Sequence, residues 1–172
     1  VDVDDEGRIY GAYEDGNIIR YSASGENLGV FANTKGRPLG LDFDSAGNLI
    51  IADANKGLLQ ADKNGNIRIL ATEINGTPLR FTDDVDIGPN GVIYFSDASE
   101  KFGINNYRED LFEHRPHGKI LSYDPTMDKL TTLLDSLYFA NGVAVEPNGN
   151  FLLFNETATY EVSKLWLKGP KA

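Results

Sequence analysis

Apolar and polar positions alternate along short stretches that end in a glycine turn, and a run of apolar residues follows each turn. Leu41-Asp42-Phe43-Asp44 leads through Ser45-Ala46-Gly47-Asn48 into Leu49-Ile50-Ile51-Ala52, and Val85-Asp86-Ile87 leads through Pro89-Asn90-Gly91 into Val92-Ile93-Tyr94-Phe95. Val143-Ala144-Val145-Glu146 leads through Pro147-Asn148-Gly149-Asn150 into Phe151-Leu152-Leu153-Phe154, and Asp5-Glu6-Gly7 makes the same turn near the start. Period-two alternation broken by Gly and Asn turns predicts antiparallel strands. The turn glycines, Gly7, Gly47, Gly91 and Gly149, lie 40, 44 and 58 residues apart. A repeat of about 40–45 residues with several short strands per unit predicts propeller blades. The pattern places them at 1–38, 39–82, 83–139 and 140–172, with three strands in the last. Asp15-Gly16, Ser24-Gly25 and Asn64-Gly65 supply further hairpin turns.

The interval of 58 exceeds the others because of one insertion, Ser99 to His117. Within it, Asn105 and Asn106 are candidate caps for a short helix through Tyr107–Phe112, closed by Pro116 and Gly118. In an antiparallel blade the second strand returns to the face where the first began. This loop therefore falls over the mouth of the central channel, as a lid.

Counting back from the turn glycines locates the start of each innermost strand. Eight residues back are Leu39, Asp83 and Asn141; seven back are Gly40, Asp84 and Gly142. The register makes Asp83 and Asn141 neighbours at the hub despite the 58 residues between them. A carboxylate and an amide oxygen are hard donors suited to Ca²⁺ or another divalent cation, which needs further oxygens from elsewhere. The structural alternative is that Asp83 and Asp84 cap a turn, and that Asn141-Gly142 is an ordinary turn dipeptide. Asp53, Asp97 and Glu156 end second strands near the same rim. For Glu156 a solvated strand end is an equal alternative.

Composition narrows the classes. The 172 residues carry a formal net charge of −10, which argues against a nucleic-acid partner. No apolar run reaches the roughly 18–20 residues of a membrane-spanning helix. With no cysteine, disulfides and thiolate chemistry are excluded for this segment. His114 and His117 read as the end of the lid helix.

Several spaced segments carry a resemblance: Gly36-Arg37-Pro38-Leu39-Gly40-Leu41, Phe81-Thr82-Asp83-Asp84-Val85-Asp86-Ile87, Tyr94-Phe95-Ser96-Asp97, Tyr138-Phe139-Ala140-Asn141-Gly142-Val143-Ala144 and Trp166-Leu167-Lys168-Gly169-Pro170-Lys171. Together they resemble the strictosidine synthase-like proteins, which belong with gluconolactonases and paraoxonase-type esterases among six-bladed propellers. The resemblance implies an all-β propeller of which about 3.75 blades are present, a middle segment of the whole. It also implies a catalytic divalent cation, typically calcium, with Asp83 and Asn141 at ligand positions and Asp84 behind them. Asp83 departs from the family pattern, which has Asn there. The implied activity is metal-dependent hydrolysis of lactones or related esters on a small-molecule substrate. Amine–aldehyde condensation and a non-catalytic binding scaffold are the alternatives. The open blade edges predict either that the chain is part of a longer product or that it associates with other copies.

Overall fold

The computed structural model describes residues 1–170 and 172. Lys171, the last residue of the C-terminal motif quoted above, lies outside the described residues. Among the described residues, seventeen strands form four radial sheets and one small hairpin. The first sheet is β1 (Asp2–Val3), β2 (Ile9–Ala12), β3 (Asn17–Tyr21) and β4 (Asn27–Asn33). The second is β5 (Pro38–Phe43), β6 (Leu49–Asp53), β7 (Gly57–Ala61) and β8 (Ile67–Ala71). After the hairpin β9 (Glu73–Ile74) and β10 (Thr77–Pro78), the third is β11 (Thr82–Ile87), β12 (Ile93–Asp97), β13 (Gly118–Asp124) and β14 (Lys129–Leu137). The fourth has three strands: β15 (Ala140–Val145), β16 (Phe151–Glu156) and β17 (Glu161–Trp166). Every pairing is antiparallel between neighbours in sequence, which makes the chain a β-propeller built from meandering four-stranded units.

The apolar runs after each turn are explained by burial on both faces. Leu49 and Ile51 of β6 pack with Tyr10 and Ile18 of the first sheet, while Ile50 and Ala52 pack with Val85, Ile93 and Phe95 of the third. In β12, Ile93 and Phe95 face the second sheet and Tyr94 faces Val143, Leu152 and Phe154 of the fourth. Successive side chains point to opposite faces. A strand between two sheets must therefore be apolar at every position, and Leu49–Ala52 is. In the last sheet only one face is covered: Leu152 and Phe154 are buried, whereas Leu153 is 37% and Val162 74% exposed.

The innermost strands alternate for a different reason. Asp2, Asp42 and Asp86 stand at the same register on β1, β5 and β11. Each accepts a backbone N–H from the next sheet: Phe43 at 3.0 Å, Ile87 at 2.8 Å and Val145 at 2.6 Å. These half-buried carboxylates are stitches between blades. Ala144 takes that position in the fourth sheet.

The 99–117 insertion folds as a 3₁₀ turn, Ile104–Asn106, followed by α1 (Tyr107–Glu113). Asn106 occupies the N-cap position but makes no side-chain cap bond, and the helix ends at His114, whose φ is +50°. The capping expected of Asn105 and Asn106 is therefore not what secures the helix. It is held by Ser99 Oγ donating to Asp110 at 2.5 Å and by Lys101 on Glu113 at 2.7 Å.

Candidate functional site at the hub

A repeated irregularity builds the site. In each of three sheets the pairing of first and second strands breaks at the same place: between Pro38 and Leu41, between Thr82 and Val85, and between Ala140 and Val143. The two residues inside each break are Leu39-Gly40, Asp83-Asp84 and Asn141-Gly142. A β-bulge bends its strand and re-aims side chains that would otherwise alternate between faces. Three stacked bulges thus turn successive residues of neighbouring blades toward one point.

Leu39, Gly40, Leu41, Asp83, Asp84 and Asn141, with Val1, line one shared cavity of about 380 Å³. Glycine in two of the bulges leaves room for a close neighbour, backbone at Gly40 and a side-chain end at Gly142. A Cβ on Gly40 would lie 2.7 Å from Asp84 Cα and 2.8 Å from Val85 N, and one on Gly142 would lie 2.7 Å from Asn155 Oδ1.

The electrostatics differ between the two carboxyl groups. Burial, then the charges of Asp84 and Asp97, push the Asp83 carboxyl up to about 7, and no hydrogen-bond donor among the described residues offsets this. Asp84 is also raised by burial, but its Oδ2 accepts the Val143 N–H at 2.9 Å across the blade boundary, which favours its charged form. Its own N–H donates to Ser96 Oγ at 3.1 Å. Asp84 is tied into the fold on both sides, whereas the half-buried Asp83 carboxyl has no hydrogen-bond donor beside it among the described residues. Among the described residues no three His, Cys, Asp or Glu side chains converge as a metal site. Asp83 and the Asn141 amide oxygen are the oxygen donors that fit a hard cation. The six to eight oxygens of a calcium shell would have to be completed from elsewhere.

Asp53, Asp97 and Glu156 do not line this cavity. Asp53 Oδ1 accepts the N–H groups of Arg37, Asn55 and Lys56, Asp97 Oδ1 accepts that of Phe81, and Glu156 Oε2 accepts that of Tyr138. Each carboxylate at the end of a second strand fixes the chain just ahead of the bulge in its own blade. Asp97 still acts on the site through its charge, and burial holds its own carboxyl at about 7. The sequence signal for this role is a spacing of 16 residues in Arg37/Asp53 and Phe81/Asp97, and of 18 in Tyr138/Glu156.

The insertion packs on the same end of the axis. Ile104, Tyr107 and Leu111 contact a cluster of Ala54, Phe81, Ala98 and Phe139, together with Leu39 of the cavity wall. His114 and His117 lie away from the cavity: His114 stacks on Tyr138 at 5.1 Å and His117 meets Glu113 at 3.2 Å. A larger cavity of about 720 Å³ opens at the opposite end, among the turns at 4–7, 44–47 and 88–91. It contains Asp42 and Asp86, which are engaged in blade stitching, and none of the bulge residues.

Comparison with known proteins agrees with this architecture. The strictosidine synthase family profile matches residues 83–170, and that of the strictosidine synthase-like N-terminal region matches residues 1–21. Strictosidine synthase-like 4 of Arabidopsis thaliana is 39% identical over 168 residues, covering 95% of this chain and 45% of the relative. Strictosidine synthase-like 6 of the same plant is 38% identical over 171 residues, covering 96% and 46%. The chain thus spans about half the length of these curated relatives. A gluconolactonase of Xanthomonas campestris superposes with a TM-score of 0.76 at 15% identity, over 94% of this chain and 55% of the other, which is a likeness of fold. The chain belongs to the strictosidine synthase-like family of β-propeller proteins.

Proposed function

We propose that this segment supplies cation-holding and substrate-facing walls of a hydrolase site for lactones or related esters. The observation that carries the reading is the pair of bulges that bring Asp83 and Asn141 to one cavity with Asp84 fixed beside them. Asp83 and Asn141 would hold the ion, typically calcium. When bound, such a cation supplies a Lewis acid that polarises a carbonyl oxygen. The Asp83 carboxyl gives up its proton to take a ligand role, so binding is favoured as pH rises through about 7. Asp84, anchored to Val143 N–H, keeps the blade carrying Asn141 in register with the blade carrying Asp83. Leu39 and Leu41 give the cavity an apolar side suited to the carbon skeleton of a small neutral substrate.

Calcium titration by calorimetry tests this. The complete protein is expected to bind calcium more tightly at pH 8 than at pH 6, and Asp83→Ala in it is expected to abolish binding. Binding that survives Asp83→Ala unchanged contradicts the reading.

One observation favours a second reading. A carboxyl group poised at about 7 in a half-apolar cavity is also a competent general acid and base, as an amine–aldehyde condensation needs. Under that reading Asp83→Asn removes activity in the complete protein while added calcium changes nothing.

A further inference from the structure

Among the described residues, seven besides glycine have a left-handed backbone: Lys35, Asn75, His114, Asp128, Ser136, Tyr160 and Phe139. The first six are exposed; Phe139, with φ +57°, is 4% exposed. A bulky side chain in this region costs about 1–2 kcal/mol and persists only where its surroundings over-determine it. Those surroundings are specific. The Phe139 ring meets Phe81 edge-on at 5.4 Å and Tyr107 of α1 at 6.4 Å. Its carbonyl accepts the Thr157 N–H at 3.0 Å, and the preceding N–H, that of Tyr138, donates to Glu156 at 2.6 Å. Phe81 occupies the corresponding place two residues before Asp83, without a positive φ. The left-handed turn is therefore peculiar to the strand that delivers Asn141, and one of its clamps belongs to the insertion.

We propose that Phe139 is a positioning residue that couples the 99–117 segment to Asn141: the docked helix holds Phe139 left-handed, and that backbone aims the Asn141 amide into the hub cavity. This rests on the reading of Asn141 as a cation donor, and it extends that reading from the ligand to what controls it. When α1 lifts, Tyr107 no longer braces the ring, the backbone relaxes toward the right-handed region, and the bulge loses its geometry. By linkage, an ion held at Asn141 stabilises the docked helix by the same factor.

The test combines amide hydrogen exchange with calcium calorimetry. Tyr107→Ala removes the clamp. Phe112→Ala, on the same helix but 87% exposed, is the control. In Phe139→Gly the backbone takes the left-handed form without help. Tyr107→Ala is expected to speed exchange of the Val143 amide about tenfold and to weaken calcium binding by a similar factor. Phe112→Ala is expected to change neither. In the Phe139→Gly background, Tyr107→Ala is expected to have less than about a twofold effect on Val143 exchange. Unchanged Val143 exchange in Tyr107→Ala, or an equal effect in both backgrounds, overturns the proposal. Exchange coupling together with no calcium binding by the complete protein sinks the cation reading and leaves the positioning role standing.

Discussion

Gly40→Ala is expected to lower the unfolding free energy by about 3 kcal/mol, against about 1 kcal/mol for Gly142→Ala. Both glycines sit in hub bulges, so the difference isolates what each touches. At Gly40 the new methyl group would meet the backbone of the next blade, 2.7 Å from Asp84 Cα and 2.8 Å from Val85 N, and neither atom can move without shifting β11. At Gly142 its nearest neighbour is Asn155 Oδ1 at 2.7 Å, the end of a side chain that can rotate away. Neither glycine has a positive φ, so the cost is steric and not conformational. For a chain of this size about 3 kcal/mol corresponds to a fall in Tm of roughly 6–12 °C. Because the clash displaces Asp84 and Asp83 together, Gly40→Ala should also weaken calcium binding. Thermal unfolding of the two variants side by side checks the comparison, and equal losses would contradict the tight hub.

Stability is expected to fall as pH rises from about 4.5 to 8. Three carboxyl groups, Asp42, Asp83 and Asp97, are held at about 7, chiefly by burial. The sign follows from proton counting. Between the unfolded value of 3.8 and about 7 the folded protein holds protons that the unfolded chain has released. Raising pH through that window therefore favours unfolding, and the loss is complete above about 7. A fully shifted, fully buried carboxyl corresponds to roughly 4 kcal/mol for three pH units. Asp97 is closest to that limit, whereas Asp42 reaches solvent through the larger cavity and contributes less. Below about 4 the slope reverses, because carboxylates held low by hydrogen bonds, such as Asp62 with Asn66 and Glu113 with Lys101, must then be protonated. Asp97→Asn keeps an acceptor for the Phe81 N–H and removes the buried charge. It should raise stability at pH 8 by about 2 kcal/mol and change little at pH 4.5. Urea midpoints at the two pH values give the answer, and a wild-type midpoint that rises from pH 4.5 to 8 refutes it.

The blade repeat was legible because each glycine turn and each doubly buried strand leaves a local mark. The four turns, the unbroken apolar runs such as Leu49–Ala52 and the short helix in the insertion are all visible one segment at a time. The convergence of Asp83, Asp84 and Asn141 was legible only through counting from those turns. The bulges that aim them were not, since a bulge is defined against the partner strand. Asp42 and Asp86 were visible only as polar positions of alternating strands; that they stitch blade to blade depends on the neighbouring blade, which local pattern does not reveal. Asp97 and Glu156 were placed at the right end of their strands, but a backbone N–H acceptor leaves no residue-type signature at its donor. The left-handed Phe139 gave no sign at all: Gly or Asn would have marked such a backbone, and a clamped aromatic does not.

The central claim is that Asp83 and Asn141 face one another across a common hub and can share an ion. Anomalous scattering from crystals grown with terbium, a calcium substitute, tests it most directly. The account predicts a peak about 2.3–2.6 Å from oxygens of both Asp83 and Asn141. Peaks confined to surface carboxylates, with Asp83 and Asn141 turned away from each other, would contradict it.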